Sequence, residues 1–253
     1  MPDKNKEYLH HVIDCFSIHA NPDHAAPMES YMKHKVKFFG IKTPERKALT
    51  RSIIQDHGRP DAYEISELTR MLWDQPQREL HYFGLDILET AVKKKLINDT
   101  ELFRFLVTTK SWWDTVDWLA IRIAGTHLKH HPDEINNLHQ NWMDSGHLWL
   151  RRVCILFQLK YKHNTDVFLL FQTITALSHS NEFFIQKAIG WALREYSKTD
   201  AQKVLHFVNT HSLKPLSRRE ALKIINRKKI KKPKEIYGQD RLDQLKWRVS
   251  RSR

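Results

Sequence analysis

Apolar residues recur every three or four positions along most of the chain, which predicts one helix after another. In residues 8–20, for example, Val12, Ile13 and Phe16 follow at helical spacing, as expected when one face of a helix packs against a core. We find no convincing strand. Short polar or proline-containing breaks separate the helical segments, at residues 21–23, 58–60, 74–76, 98–99, 131–133, 145–146, 180–181 and 214–215. The pattern predicts an all-α protein.

Five of the predicted helix starts are regularly spaced. Predicted helix starts fall near Gln75 or Pro76, Ser111, Gly146, Ser180 and Leu216. Each interval of about 35 residues leaves room for one further helix, and a helix pair of that length is typical of helical repeat proteins. We therefore predict an α-solenoid of HEAT-like helix-pair repeats over residues 1–226, a curved superhelix whose concave face is lined by one set of helices. Residues 227–253 form a basic tail in this prediction.

Local capping signals predict three further features. Residues 26–37 are expected to form the second helix of the chain. Thr43 is the predicted N-cap of the third helix, with Pro44 at its first position. Ser111 is the predicted N-cap of a later helix, and Asp114 is expected to complete its capping box.

The segment of residues 110–120 has the sequence KSWWDTVDWLA, with three tryptophans and two carboxylates. On a helix, Trp113 and Asp117 lie one turn apart on the same face. The ordinary interpretation is that the tryptophans belong to the core and that Asp117 is solvated or ion-paired. The rest of the chain favours a functional interpretation.

The repeat register places Arg152 next to Asp117. Asp117 lies six residues after the predicted helix start at Ser111. Arg152 lies six residues after the start at Gly146. Because equivalent helices of a repeat protein stack side by side, we expect these two side chains to be lateral neighbours.

The following repeat adds a tryptophan and two cations. Lys187, Trp191 and Arg194 share one helix face at positions i, i+4 and i+7. We expect them to converge with Trp113 and the Asp117 pair on one surface. In the alternative interpretation the tryptophans point inward, and Asp117 and Arg152 form a purely structural ion pair.

The net charge indicates a polyanionic partner. The chain has 42 Lys and Arg residues against 29 Asp and Glu residues, for a formal net charge of +13, which bears on partners rather than on fold. Residues 226–253 contain eleven of these cations and three of these acids, so this end carries +8 and the remainder +5. Nucleic acid is the expected partner. The basic end is then either a sequence-independent electrostatic arm or a disordered solubilising end.

Several functional classes have no support in the sequence. Cys15 and Cys154 are the two cysteines, which excludes a four-cysteine iron–sulfur cluster and argues against a disulfide framework. The chain has neither an apolar signal core nor a run of the roughly 20 apolar residues that span a membrane. We expect a cytoplasmic protein that associates with the nucleoid through DNA. Sixteen histidines are present, but without zinc-type spacing or a glycine-rich phosphate loop, so we expect no metal and no cofactor.

Asp117 is the residue of the predicted surface that most needs an explanation. Aromatic rings with arginines and lysines suit a DNA groove, but a carboxylate repels phosphate. It becomes favourable where positive charge develops, as in the oxocarbenium-like sugar that forms while a glycosidic bond breaks. A carboxylate also orients or deprotonates an attacking water.

Long ordered blocks of the sequence resemble the AlkD family of DNA alkylation-repair glycosylases, which are built from HEAT-like repeats. The matching blocks are YMK at residues 31–33, GIKTPER at 40–46, KSWWDTVD at 110–117, WLRR at 149–152, LFQLKYK at 156–162, EFFIQKAIGW at 182–191 and LREY at 193–196. The resemblance implies a glycosylase that removes N3- and N7-alkylated purines from double-stranded DNA, such as 3-methyladenine and 7-methylguanine, and so initiates base excision repair. It also implies that the damaged base is not drawn into a pocket, as it is in most glycosylases. The basic tail departs from the family core.

The resemblance also implies roles for individual residues. Asp117 would be the catalytic carboxylate, and Arg152 would hold the DNA backbone near the lesion. Trp113 and Trp191 would pack beside the deoxyribose of the lesion. We expect DNA contacts from four further side chains, those of Tyr31, Lys160, Lys187 and Arg194. We expect a monomer, because a repeat stack closes its own core.

Two other functions remain open at this point. A non-catalytic helical-repeat protein that binds DNA structures or a protein partner would tolerate replacement of Asp117. A lyase would need a nucleophilic amine such as that of Lys187, which would form a Schiff base with the sugar.

Overall fold

The computed structural model describes the backbone of residues 4–231 and the side chains of residues 4–227. The described residues are mostly helical and form no strand, so the predicted all-α class is confirmed. They fall into two compact units, one that runs through Lys160 and one that begins at Tyr161. Apart from its first five residues, the predicted tail of residues 227–253 lies outside the described residues.

The helices have the following bounds. Those of the first unit are α1 (Lys4–Ile18), α2 (Pro22–Tyr31), α3 (Thr43–His57), α4 (Ala62–Asp74), α5 (Arg78–Lys93), α6 (Thr100–Thr108), α7 (Trp113–Trp118), α8 (Gly125–His130), α9 (Ile135–Asp144) and α10 (Leu148–Leu156). A π-helical segment, Leu119–Ala124, joins α7 to α8. Those of the second unit are α11 (Val167–Leu177), α12 (Phe183–Tyr196), α13 (Ala201–Thr210) and α14 (Pro215–Lys231). Over residues 4–231, no helix combines the length and the apolar character needed to cross a membrane.

The helix starts repeat with the predicted period. Helices α5, α7, α10 and α12 begin at Arg78, Trp113, Leu148 and Phe183, at intervals of 35 residues, and α14 begins 32 residues later at Pro215. At least one other helix lies between each of these starts and the next. The period of the helix pairs is therefore confirmed, while the HEAT-like superhelix stays a prediction.

The predicted bounds of α2 are wrong. The helix begins at Pro22 rather than at residue 26, because the Asn21 side chain accepts a hydrogen bond from a backbone N–H of the first turn at 3.2 Å. The predicted break at residues 21–23 therefore contains the start of the helix, with an N-cap residue followed by a proline at the first helical position. The helix ends at Tyr31, and Lys33 with its φ of 58° turns the chain out of the helical path.

The predicted N-cap of α7 is also wrong. The Ser111 hydroxyl donates to the carbonyl oxygen of Val107 in α6 at 2.6 Å and makes no N-cap bond. The helix begins at Trp113, and Trp112 occupies the N-cap position in an extended conformation. Asp114 therefore completes no capping box.

The prediction for α3 is shifted by one residue. Lys42 rather than Thr43 occupies the N-cap position, and no side chain makes a capping hydrogen bond there. Pro44 still lies in the first turn, where the missing N–H leaves no helical hydrogen bond unmade.

A buried carboxylate fixes the loop between α2 and α3. Glu79, which is fully buried near the start of α5, accepts hydrogen bonds from three successive backbone N–H groups. These are the N–H groups of Phe39 at 3.0 Å, Gly40 at 2.9 Å and Ile41 at 3.1 Å. Buried backbone donors need such partners, so Glu79 determines the path of the loop. The loop in turn brings Phe38 and Ile41 to a cavity of the first unit.

Gly40→Ala is expected to destabilise the protein more than Gly58→Ala. Both glycines have positive φ, 92° and 79°, and such a conformation costs an alanine about 1–3 kcal/mol. A Cβ atom on Gly40 would also lie 2.0 Å from the backbone oxygen of Asn21, whereas Gly58 has open space around it. Overpacking adds roughly 1–3 kcal/mol. Urea unfolding measures the two free energies of unfolding, and equal losses would contradict the close approach of the loop to Asn21.

Candidate active site

A cavity of about 740 Å³ lies in the first unit. It is lined by most of the catalytic and DNA-contacting residues that the sequence predicts in that unit. Its walls come from α2, the loop after α2, α3, α5, α7 and the π-helical segment. It is lined by the aromatic residues Tyr31, Phe38, Tyr82, Trp113 and Trp118, the carboxylates Asp114 and Asp117, and the cations Arg46, Lys47, Arg122 and Lys160, together with aliphatic side chains. The cavity thus combines large apolar surfaces with charges of both signs.

Trp113 and Asp117 line this cavity from consecutive turns of α7, as their spacing predicts. The half-buried Trp113 ring meets the Tyr31 ring edge to face, with centroids 5.9 Å apart and an angle of 81° between the planes. This is a favourable geometry for two aromatic rings. Trp113 therefore belongs to the cavity wall, which contradicts the interpretation that it points into the core.

Asp117 forms an ion pair with Arg152 of α10 through two parallel hydrogen bonds. Arg152 Nε donates to Asp117 Oδ1 at 2.7 Å, and Nη2 donates to Oδ2 at 2.9 Å. The Arg152 and Asp117 side chains are 5% and 16% exposed. The predicted lateral contact is confirmed, and the two-point geometry fixes the orientation of the carboxylate. A catalytic and a purely structural role both predict this pair, so activity measurements on variants must separate them.

Burial raises the pKa of Asp117 above its ordinary value, because desolvation disfavours the ionised carboxylate. The hydrogen bond and the charge of Arg152 act in the opposite direction, and the charge of Asp114 raises the pKa further. The ionised form of Asp117 thus depends on Arg152. In such a site an anion attracts a developing positive charge more strongly than it would in water.

Asp114 is the second carboxylate of the cavity wall, and it belongs to a buried network. Its Oδ2 atom accepts a hydrogen bond from the Tyr82 hydroxyl at 2.7 Å and lies 3.2 Å from Nε of the fully buried Arg78. Arg78 also donates to the carbonyl oxygen of Lys110 at 3.1 Å. These bonds tie α5 to the start of α7. Arg78 and Tyr82 were not predicted as site residues, because they come from another helix and no local signal marks them.

A second pair of aromatic rings lies beside the carboxylates. Tyr82 and Trp118 stack with centroids 6.1 Å apart and an angle of 22° between the planes. Arg46 lies 5.1 Å from the centroid of Tyr82 and pairs with Asp86 at 2.5 Å, while Arg122 lies 5.0 Å from the centroid of Trp118. Cations over aromatic faces are stabilising. These side chains were not predicted as site residues, since helical spacing alone does not show which face of a helix meets another helix.

Two of the predicted DNA-contacting residues also line the cavity. Tyr31 is 69% exposed at the end of α2, and Lys160 is exposed at the last position of the first unit. Both side chains are therefore accessible to a ligand that enters the cavity.

The other predicted residues lie on α12 of the second unit. Lys187 Nζ donates to Glu220 Oε1 of α14 at 3.1 Å, and Arg194 Nη1 donates to the other oxygen of the same carboxylate. Trp191 is half-buried. Helix α14 approaches closely at Gly190, where a Cβ atom would lie 2.5 Å from the Cβ of Glu220. Glu220 was not predicted from the sequence. The convergence of Lys187, Trp191 and Arg194 with the residues of the cavity stays a prediction.

The histidines form no metal cluster in the part of the chain that the structure describes. No group of three or more His, Cys, Asp or Glu side chains there is arranged to hold an ion. In the densest histidine region, the buried His127 places Nε2 2.9 Å from an oxygen of Glu134 and stacks on His131.

Comparison with known proteins places the chain among DNA repair proteins. A family model described as DNA alkylation repair enzyme matches residues 12–225. The solved structure of a predicted DNA alkylation repair enzyme from Enterococcus faecalis is 33% identical in sequence, with a TM-score of 0.74, and the match covers 81% of this chain and 95% of that chain. No curated protein matches the chain significantly.

Glu220→Gln is expected to lower the free energy of unfolding near neutral pH by about 1 kcal/mol, because it removes an anion held between two cations. The hydrogen bond from Lys187, with the charges of Lys187 and Arg194, lowers the pKa of Glu220 below its ordinary value. This stabilisation is present above the pKa of the unfolded chain and is lost as the pH falls through the folded-state pKa.

Urea unfolding at a series of pH values measures this difference, which should shrink toward acid pH. Glu195→Gln is a matched control, because Glu195 pairs with Lys198, which lies three residues further along the chain and just beyond the end of α12. A difference for Glu220→Gln that stays constant with pH would contradict the assignment.

Proposed function

The chain belongs to the DNA alkylation repair enzyme family, and from this premise we propose that it is a DNA glycosylase for N3- and N7-alkylated purines in duplex DNA. Repair of alkylated DNA is the role of the family, and DNA is its partner. The observation that supports the glycosylase most strongly is the mostly buried Asp117 carboxylate, oriented by Arg152 in a cavity with aromatic walls.

The chemistry of the substrate matches a site with one catalytic carboxylate. An N3- or N7-alkylated purine already carries a positive charge, so it leaves as a neutral base and needs no general acid. The bond between C1′ and the base nitrogen breaks, and its electron pair goes to the base. The remaining sugar becomes oxocarbenium-like, and a carboxylate beside it lowers the barrier.

Asp117 has two roles in the proposed reaction. Its negative charge stabilises the cationic sugar, and it orients the water that attacks C1′ and accepts the proton which that water loses. The products are a free neutral base and an abasic deoxyribose. The base is not drawn into a pocket in this scheme, because the carboxylate acts on the sugar.

The other predicted residues support this carboxylate. Arg152 directs two guanidinium nitrogens to Asp117, so we assign it first as a positioning residue that keeps the carboxylate ionised and oriented. Trp113 lines the same cavity and is proposed to pack against the deoxyribose, with a cation–π contribution of about 1–2 kcal/mol where the site is desolvated. Trp191 is proposed to pack on the same sugar. Selectivity then follows from the lesion, since an unalkylated purine is a poor leaving group.

Asp117→Asn is expected to slow release of 7-methylguanine and 3-methyladenine from alkylated duplex DNA at least tenfold, a loss of about 1.4 kcal/mol or more of transition-state stabilisation. Single-turnover kinetics at saturating protein measure this release, and a binding assay checks that both proteins bind DNA equally. Asp144→Asn is a matched control, because Asp144 is an exposed carboxylate at the end of α9.

Two outcomes would overturn the proposal. If the native protein binds DNA but releases no base, the chain is a non-catalytic DNA-binding repeat protein. If borohydride traps a covalent adduct with DNA that depends on Lys187, the reaction is that of a lyase.

The pH dependence of base release is expected to respond to the neighbours of Asp117. The reaction needs the ionised carboxylate, so the rate falls as the pH decreases through a pKa that burial has raised. Arg152→Gln removes the cation that lowers this pKa, so the acid limb of the pH–rate profile moves to higher pH. Asp114→Asn removes a neighbouring negative charge, so the limb moves to lower pH. An acid limb that stays in place in both variants would mean that another group controls the rate.

A further inference from the structure

Arg122 is held in a fixed place although half of its side chain is exposed. Its Nη1 donates to the buried Glu89 at 3.2 Å, and its guanidinium lies over the Trp118 ring. The Trp118 Nε1 donates to the same carboxylate at 2.7 Å. The Arg122 side chain is nevertheless 53% exposed. An arginine restrained in this way loses little conformational freedom when it binds a ligand.

The π-helical segment brings Arg122 to the cavity that contains Asp117. In an α-helix, residues five apart point about 140° away from each other, since one turn takes 3.6 residues. The hydrogen bonds of a π-helix join residues five apart and bring them closer to one face. Arg122 lies in this segment five positions after Asp117, and both side chains line the cavity.

Two exposed lysines line the same cavity. Within the described residues, neither Lys47 nor Lys160 has a carboxylate oxygen within 4.0 Å. Arg46 differs from them, because it is 3% exposed and pairs with Asp86. Two exposed cations without acidic partners, together with a restrained and half-exposed arginine, thus surround a cavity with an accessible opening.

The two carboxylates that line the cavity pair with other arginines, Asp117 with Arg152 and Asp114 with Arg78. Glu89 pairs with Arg122 but is shared with Lys93, so one negative charge faces two cations there. The cavity therefore keeps an excess of positive charge that a polyanion can satisfy.

We propose that Arg122, Lys47 and Lys160 form a phosphate site that binds a phosphodiester of the strand carrying the alkylated base. Arg122 is the restrained donor of this site. Its Nη1 bonds Glu89, and the guanidinium has further N–H groups that can donate to phosphate oxygens. The inference rests on the proposed function, since a phosphate held here keeps the backbone next to the lesion beside Asp117. The three cations offset the repulsion between that phosphate and the carboxylate.

The test is the salt dependence of binding to an undamaged DNA duplex. Arg122→Gln should weaken binding about three- to tenfold at low salt and reduce the slope of log K against log salt by about 1, the loss expected for one phosphate contact. Arg104→Gln is a matched control, because Arg104 is 54% exposed, pairs with a single carboxylate of Glu101 at 3.9 Å and does not line the cavity. It should leave the slope unchanged. Arg122→Lys keeps the charge, so it should retain the slope of the native protein.

A slope for Arg122→Gln equal to that of the native protein would overturn the phosphate site, and a loss of stability without a change in slope would assign Arg122 a structural role only. Circular dichroism and urea unfolding of each variant detect such a loss. Binding to undamaged DNA needs no base release. A native protein that releases no base would therefore refute the glycosylase but not the phosphate site, whereas an unchanged slope alongside normal base release would refute the phosphate site alone.

Discussion

The ion pair between Asp117 and Arg152 is the interaction on which the candidate site depends. It joins α7 to α10, whose starts are 35 residues apart, so the period of the helix pairs decides which two side chains meet. Burial alone would favour a protonated Asp117, and the arginine keeps the charged form accessible. Removing one partner of a buried ion pair typically costs about 3–5 kcal/mol. The same contact thus joins two helices and, in the proposed reaction, orients the anion that acts on the sugar.

The other charges around the cavity divide into structural and available groups. The Glu79 carboxylate accepts hydrogen bonds from the loop after α2, and Asp114 forms an ion pair with Arg78. These bonds hold the walls in which Trp113 and Asp117 lie. The cations Lys47, Arg122 and Lys160 remain accessible at the cavity. The cations at the opening suit a polyanionic ligand such as the DNA backbone. The fixed carboxylate suits a positive charge that develops at one atom, as it does on the sugar of an alkylated nucleotide when the base leaves.

Periodic features of this protein could be predicted from the sequence, and contacts between distant helices could not. The helical class, the 35-residue period and the Asp117–Arg152 pair follow from hydrophobic spacing and repeat register. The prediction failed for Ser111 because its hydroxyl bonds back to α6 instead of capping α7. The pairs Glu89–Arg122 and Glu220–Arg194 were missed because they join different helical segments, and nothing in the local sequence indicates which segments pack together.

The most direct test of Asp117 as a catalytic carboxylate oriented by Arg152 is a double-mutant cycle of base release. Single-turnover rates are measured for the native protein, Asp117→Asn, Arg152→Gln and the double variant on one alkylated duplex at saturating protein. If Arg152 acts through Asp117, the double variant releases base no more slowly than Asp117→Asn alone, so the two losses are not additive. Losses that add in full would mean that Arg152 acts on the DNA independently of Asp117, and would contradict the central role assigned to the pair.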